Sequence, residues 1–542
     1  MNASTGKSGL LRPKLRIDRD AAWTALAALL MTAGLPPVPQ TWPLVPLALA
    51  VFFGRLAGSP RPARLAWLFG LVHQLTLLYW LFLLVPAKTI PTRALVPVQA
   101  LAAIGYVSLF YLLLGWVYGR LRRLAGLRLA VLVLPVLWIG MEVLRGRGEL
   151  AFPWCLTGSA AVGGPLLGLV RACGEIGVGA GLVFLAAALA GCGLLRRPGF
   201  GRRPAALLAG GTLLLWCGLA VGSLLRPEIP GRNDATGARR EPIEVAAVQA
   251  DVALADKWDD AKIDSTRIPY DRYTREAADR GAELVVWAET ALPAYVRIDK
   301  PLLNWTRRLV RETGVYLYTG FPDFERRASG ELLKFNSSGL FAPDGRLVDQ
   351  YAKHHLLPIG EAMPFSRLIP ALARIDVGQA EWSPGAMPRP LTVATAADTF
   401  SFAGLICFES IFSRLARWPV AQGAQALVVI TNDGWFGYSA GPRQHAALAR
   451  LRAAECGVPL IRCANNGISF VCDARGRLRD RLALGRRGVI VETITPGDGR
   501  TAYVRWGARP LGWFLAAWTV VAVVLEGLRR RRQAGAAAAE IP

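Results

Sequence analysis

Uninterrupted apolar runs dominate the first 225 residues and return once near the C-terminus. Stretches long enough to cross a hydrocarbon core, about 20 residues, lie near 66–86, 94–119, 129–144, 165–195, 205–225 and 510–527. The segment 21–54 is equally apolar but is interrupted by Pro36, Pro37, Pro39, Pro43 and Pro46, which predicts two short helices joined by a turn. The pattern therefore predicts about eight transmembrane helices. From about 242 it changes to short β-branched and aromatic runs alternating with charged helical stretches. Strands are expected at 243–250, 283–290, 315–322, 335–343, 400–409, 425–433, 459–466 and 468–473, and helices at 260–280, 300–313, 410–422 and 442–456. Asp344-Gly345 and Arg475-Gly476 supply hairpin turns. Strands and helices in this order read as one α/β layered domain set before the last span.

Basic residues orient the bundle, because loops left in the cytoplasm are enriched in Lys and Arg. With the N-terminus inside, cytoplasmic segments hold Lys7 to Arg19, then Arg55, Arg61 and Arg64, then Arg120 to Arg128, then Arg196 to Arg203, and finally Arg529 to Arg532. The outside loops carry only Lys88 and Arg93, then Arg145 and Arg147. Eight spans with both termini cytoplasmic satisfy this alternation. The expected division is a tail at 1–20, spans one to seven at 21–225, an extracytoplasmic domain at 226–508, the last span at 509–528 and a basic tail at 529–542. No A-x-A-like site follows the first apolar run, so a cleavable signal peptide is not expected.

Composition agrees with a membrane protein. Of the 542 residues 53% are hydrophobic and 19% charged, with mean hydropathy +0.33, against about 25% charged in soluble domains. A plain soluble enzyme, a disordered chain and a fibre are excluded. The net charge of +24 could signal nucleic acid, but the basic residues segregate into loops, so the expected partner is the lipid bilayer and no nucleic acid. The eight cysteines contain no CxxC pair, which signals neither a disulfide framework nor a zinc site. No metal and no cofactor is expected. Within the spans His73, Glu142, Arg171 and Glu175 are polar. Arg171 and Glu175, spaced i, i+4, are expected to pair. Glu142 and Arg145, near a span end, are expected to snorkel.

Three segments of the domain carry candidate chemistry. In VVWAET, Glu289 ends an apolar strand and reads either as a desolvated base or as the first polar residue of a loop. YAKHHLLPIGEAMPF holds Lys353, His354, His355 and Glu361. Adjacent side chains on an extended segment point to opposite faces, so the two His make a poor ligand pair. In GLICFES, Cys407 ends a strand where a helix begins, a placement that can lower a thiol pKa and expose a nucleophile. Cys155, Cys173, Cys192 and Cys217 read as inert core thiols.

Glu289, Lys353 and Cys407, at strand ends in that order with about 60 residues between consecutive members, resemble the nitrilase (carbon-nitrogen hydrolase) superfamily, over roughly 242–498. TNDGWFG (431–437), GPRQHAALARLRAAE (441–455) and RCANNGIS (462–469) strengthen the likeness. The whole chain resembles the apolipoprotein N-acyltransferase family within that superfamily. Its signatures are EVLRG (142–146), FPW (152–154) and Val248, Gln249, Lys257 and Trp258, together with eight spans and a domain inserted before the last. The resemblance implies a membrane helical bundle carrying a nitrilase-like αββα sandwich.

It also implies a reaction. Glu289 would act as general base on Cys407, whose thiolate takes an acyl chain from a phospholipid as a thioester. Lys353, with the backbone N–H of Phe408, would stabilise the oxyanion. The acceptor would be the N-terminal amine of an apolipoprotein's diacylglyceryl-cysteine, in a ping-pong sequence at the periplasmic face of a bacterial inner membrane. Glu361 and Glu409 would support the site, and Trp258 would contact substrate. Trp435 and Phe436, between Gly434 and Gly437, read either as a flexible apolar loop that contacts substrate and gates lipid entry or as a packed aromatic turn. The family's Cys-Tyr-Glu is Cys407, Phe408 and Glu409 here, so that tyrosine hydroxyl is absent. Two other readings stay open: a membrane-tethered amidase or nitrilase-type hydrolase using the same triad with water, and a transporter or lipid-binding protein whose nitrilase-like domain is inactive.

Overall fold

The computed structural model describes residues 18–85, 95–197, 200–224, 241–257, 262–366, 368–374, 381–395 and 398–539. Lys88, Arg93 and Trp258, singled out above, lie outside the described residues.

The N-terminal part is helical: α1 (Arg19–Ala33), α2 (Leu44–Gly58), α3 (Pro62–Leu77), α4 (Leu95–Arg145), α5 (Val170–Gly193) and α6 (Arg202–Leu224). The Pro-rich segment is a turn between α1 and α2, because proline offers no N–H to continue either helix. The runs at 94–119 and 129–144 form two helical arms that meet at a kink and are numbered together as α4. Gly126, at φ 80° and ψ 168°, breaks its course; only glycine takes that conformation without strain. In α5 the same device recurs at Gly174, φ 71°, where a Cβ would lie 2.6 Å from the Tyr503 ring. Four described helical segments are long and apolar enough to cross a membrane: Leu95–Arg145, Pro165–Arg196, Arg202–Leu224 and Arg509–Ala536. The helices α1, α2 and α3 have 15, 15 and 16 residues, below the about 20 a perpendicular crossing needs.

The polar residues of the bundle face inward. Glu142 and Arg145 do not snorkel: both are buried. Glu142 Oε1 accepts from the Thr157 amide at 2.8 Å and its hydroxyl at 2.5 Å, and Arg145 donates to the Trp154 carbonyl at 3.4 Å. Glu175 finds its cation outside the bundle. Arg452 donates to its Oε2 at 2.9 Å, and Arg171 reaches the Ala474 carbonyl at 3.4 Å. Cys192 and Cys217 are exposed rather than core residues, since they lie on the outer, apolar faces of their helices.

The remainder is a sandwich with the elements β1 (Ile243–Gln249), α7 (Leu254–Lys257), α8 (Ile263–Asp279), β2 (Leu284–Trp287), α9 (Lys300–Thr313), β3 (Tyr316–Arg326), β4 (Leu332–Phe341), β5 (Leu347–Ala352), β6 (Pro390–Ala394), β7 (Thr399–Ile406), α10 (Ser413–Val420), β8 (Ala426–Thr431), α11 (Gly441–Cys456), β9 (Leu460–Ala464), β10 (Ser469–Cys472), β11 (Leu478–Leu482), β12 (Gly488–Ile494) and α12 (Ala502–Trp506), before α13 (Arg509–Ala539). Two sheets form among the described residues, in the orders β12-β1-β2-β3-β4-β5 and β11-β10-β9-β8-β7-β6. Each contains a parallel triplet, β1-β2-β3 and β7-β8-β9, continued by antiparallel strands. The central strands of the triplets, β2 and β8, read as unbroken apolar runs because both of their faces are covered.

Val245, Val286, Phe402, Val428 and Ile461 meet between the sheets. Trp287, Leu302 and Leu309 fill the layer under α8 and α9 on one outer face. On the other, Leu415 of α10 and Leu448 and Leu451 of α11 join one continuous core with Phe69, Trp138 and Val170 of the bundle. This is the αββα layering that the nitrilase resemblance implies, with one helical layer roofed by membrane helices.

Candidate active site

Parallel strands direct their C-terminal ends to one edge of a sheet, where loops gather functional groups. Glu289 follows β2, Cys407 follows β7 and Asn432 follows β8, while Lys353 leaves β5 at the same edge. The structure brings the three sequence-predicted residues together with Glu361. Lys353 Nζ lies 2.8 Å from Glu361 and 3.7 Å from Glu289 Oε1. The Asn336 amide on β4 bridges the two carboxylates, donating to Glu289 Oε1 at 2.8 Å and Glu361 Oε1 at 3.0 Å. The Asn432 amide N–H donates to Glu289 Oε2 at 2.9 Å. Lys257 donates to the Glu289 carbonyl at 2.7 Å, behind the carboxylate.

Cys407 has φ 55°, a conformation that costs a non-glycine residue of order 1–3 kcal/mol and marks a tight strand-to-helix turn. The helix it opens is a five-residue 3-10 turn, Cys407–Ile411. The expected lowering of the thiol pKa does not occur. Burial and the Glu289 carboxylate push the thiol above its usual range, only partly offset by Lys353. Burial alone would lower the Lys353 ammonium, but Glu361, Glu289 and Cys407 raise it, so it stays charged. Buried Lys257, by contrast, is lowered by desolvation to about 7, against a raising effect of Glu289.

Glu409 is fully buried and acts as a brace. Its Oε2 accepts from the Ile406 amide at 2.8 Å, and its Oε1 accepts from the Tyr351 hydroxyl at 2.7 Å and the amides of His354 and His355 at 2.8 and 3.0 Å. The end of the Lys353 strand, β5, is thereby tied to the start of the Cys407 turn, with Tyr351 of that same strand supplying the hydroxyl. His354 and His355 diverge: His354 Nδ1 lies 2.9 Å from the Gly385 carbonyl, while the His355 ring packs 4.2 Å from Phe412.

On the bundle side the turn meets aromatic rings. Phe408 stacks 5.9 Å from Phe152, which stacks 5.9 Å from Trp154, and Phe436 packs 4.9 Å from Trp80. Phe436 is thus part of a packed cluster, whereas Trp435 is 37% exposed and its carbonyl accepts from the Val85 amide at 2.9 Å. Gln444 of α11 fastens this wall, accepting from the indoles of Trp80 at 2.9 Å and Trp154 at 2.8 Å.

Sequence reasoning did not single out Asn336, Asn432, Asp433, Gln444, His445 or Arg462. Most lie in the TNDGWFG, GPRQH and RCANNGIS segments, whose density of polar residues after apolar strands was the available signal. Asn336, in FNSSG, carried none. The last group forms a buried array: His445 Nδ1 lies 3.0 Å from Asp433 Oδ1, and Arg462 donates to Asp433 Oδ2 at 2.7 Å. Burial would raise Asp433, but Arg462 and His445 hold it well below the usual carboxylate range.

The family model described as carbon-nitrogen hydrolase matches residues 244–503, and that described as apolipoprotein N-acyltransferase N-terminal domain matches 27–188. Among known proteins, apolipoprotein N-acyltransferase of Azotobacter vinelandii is 32% identical over 525 residues, covering 95% of this chain and 97% of its own. That of Geobacter metallireducens is 32% identical over 530 residues, covering 95% and 96%, and that of Vibrio cholerae 30% over 503, covering 91% and 94%. Among solved structures, an amidase from Nesterenkonia sp. covers 49% of this chain at 18% identity with a TM-score of 0.36. Likeness of this extent over nearly the whole length, in both the bundle and the sandwich, bears out the resemblance read from the motifs: the chain belongs to the apolipoprotein N-acyltransferase family.

Proposed function

We propose that this enzyme transfers an acyl chain from a membrane phospholipid to the α-amine of an apolipoprotein's N-terminal diacylglyceryl-cysteine, in two half-reactions at Cys407. In the first, Glu289 takes the Sγ proton as sulfur attacks the ester carbonyl. The oxyanion forms against the Lys353 ammonium and the Phe408 N–H. Collapse expels the lysophospholipid oxygen, which recovers the proton from Glu289 and leaves a thioester. In the second, the acceptor amine attacks the thioester carbonyl and gives its proton to Glu289. The tetrahedral intermediate expels the Cys407 thiolate, which takes that proton back. The product is an amide, and no metal or other cofactor is required. Glu361 holds Lys353 in place, and Glu409 fixes the strand ends that carry Lys353 and Cys407.

The observation that carries this reading is the meeting of Glu289, Lys353 and Cys407 beside an aromatic wall contributed by the bundle. A thiol set against membrane helices suits substrates that are themselves held in a bilayer. The arginine distribution supports eight spans, counting α1, α2, α3 and the two arms of α4, with both termini cytoplasmic and the domain of 226–508 in the periplasm of a bacterial inner membrane. Trp435 and Phe436 would border the lipid path, and the family resemblance implies a substrate contact for Trp258.

The test is intact-protein mass spectrometry after incubation with phospholipid, before and after adding a diacylglyceryl-cysteine peptide with a free N-terminus. A hydroxylamine-labile adduct of one acyl chain on Cys407, lost as the peptide gains that chain, is expected. No adduct in the wild type, with release of free acid from simple amides, would establish the hydrolase instead.

A further inference from the structure

Cys407 and Phe408 share a peptide group whose two ends do different work. Its N–H lies in the first turn of the 3-10 helix, where amides have no partner within the helix, and faces the oxyanion in the reaction above. Its C=O points the opposite way, because the peptide is trans. That carbonyl is gripped from behind. His445 Nε2 lies 3.0 Å from it, and the Ser410 hydroxyl donates to it at 2.8 Å. Burial and Arg462 keep the imidazole neutral, and we assign its one proton to Nε2, facing the carbonyl, with Nδ1 accepting from Arg462 Nη2; Nε2 also lies 3.0 Å from the Ser410 hydroxyl. The imidazole is buried and cannot tilt away, since Asp433 Oδ1 and Arg462 Nη2 stand 3.0 and 3.1 Å from Nδ1, and the Trp154 ring lies 5.6 Å from its own.

We propose that His445 is a positioning residue for the oxyanion site: by hydrogen bonding the Cys407 carbonyl it aims and polarises the Phe408 N–H. Hydrogen bonds in series strengthen one another, so a donor on the C=O makes the N–H of the same amide a better donor. Asp433 and Arg462 orient the ring, and Ser410 adds a second donor. Gln444, the preceding residue on α11, anchors that helix to Trp80 and Trp154, so the bundle fixes where the imidazole stands. This rests on the thioester reading of the previous subsection.

The experiment compares two reactions of the same thiol in the full-length enzyme. One is thioester formation from vesicles of phosphatidylethanolamine and phosphatidylglycerol, which passes through an oxyanion. The other is alkylation of Cys407 by iodoacetamide, read by peptide mass, which does not. In His445→Leu, thioester formation is expected to fall about 10- to 100-fold, less than or equal to the loss of an entire oxyanion donor, while alkylation stays within about 2-fold of wild type. His445→Gln, whose amide N–H can replace Nε2–H, is expected to recover most of the loss, and Ser410→Ala to lose a few-fold with alkylation unchanged; this last variant carries the test if His445→Leu does not fold. Equal loss in both reactions, or no recovery with Gln, would overturn the proposal. A wild-type enzyme that forms no thioester would overturn the acyl-enzyme reading first, and this proposal with it.

Discussion

The Lys353 ammonium lies nearer to Glu361, at 2.8 Å, than to Glu289, at 3.7 Å. In the proposed reaction the closer carboxylate is the one with no proton to move, an arrangement that would keep the cation from collapsing onto Glu289. With Glu361→Ala, Lys353 has only Glu289 to pair with, and an ammonium locked onto that carboxylate makes it a poorer proton acceptor. Thioester formation is expected to fall about 10²-fold, with little change in the phospholipid concentration for half-maximal rate. Single-turnover mass spectrometry measures both.

The raised thiol pKa of Cys407 sets a pH signature. Burial and Glu289 disfavour the thiolate, so iodoacetamide labelling of wild-type Cys407 is expected to begin only above the ordinary cysteine range of about 8.5. Glu289→Gln removes a negative neighbour, and its labelling curve should move to lower pH. Lys353→Met removes a positive one and should move it higher. Thioester formation should nevertheless drop about 10²- to 10⁴-fold in Glu289→Gln, as expected for loss of a general base. A labelling curve that moved upward in that variant would contradict the assignment.

Glu409 accepts four hydrogen bonds from three backbone amides and one hydroxyl. Glu409→Gln points an amide N–H at donors that need an acceptor, and a buried mismatch of this kind costs about 1–3 kcal/mol. A lowered melting temperature is expected, with activity lost beyond what unfolding explains, because the Lys353 strand end and the Cys407 turn are no longer held in register. Tyr351→Phe, which removes one donor and leaves the carboxylate three, should be the milder change in both measurements.

The strands of the sandwich were legible because β1, β2, β7, β8 and β9 are mostly buried on both faces and so read as largely apolar runs. Edge strands were not: β11, with Arg479, Asp480 and Arg481, is exposed along most of its length, and its pairing is set by the hairpin before it rather than by hydrophobicity. In the bundle most helix starts were legible within a few residues, but the run expected at 66–86 ends as a helix at Leu77 and continues as a short 3-10 turn, and the partners of Glu175 and Arg145 were not legible. Spacing along one helix predicts neighbours on that helix, whereas Glu175 is paired by a residue 277 positions away. The order Glu289, Lys353 and Cys407 was visible because each ends a strand. Asn336 and His445 escaped because a single polar residue on a strand or a helix gives no sign of the face it presents.

Gln444→Leu tests the seam between bundle and sandwich while leaving Glu289, Lys353 and Cys407 in place. It leaves the indole N–H groups of Trp80 and Trp154 without their acceptor in a buried setting, at a cost of about 1–3 kcal/mol per group. Thermal unfolding in detergent should shift downward by several degrees, while the remaining folded enzyme keeps its alkylation rate at Cys407.

The roofing of α10 and α11 by the bundle has a consequence for how the protein can be handled and made. In a free-standing αββα domain an outer helical layer would meet water, and its outward side chains would be polar. Here Leu415, Leu448 and Leu451 belong to a core completed by residues before position 225. A fragment of 241–508 expressed alone would present that apolar slab to solvent and would be expected to aggregate. The half that completes this core precedes the sandwich in the chain, so the α10 and α11 layer has its apolar cover only when both parts are present.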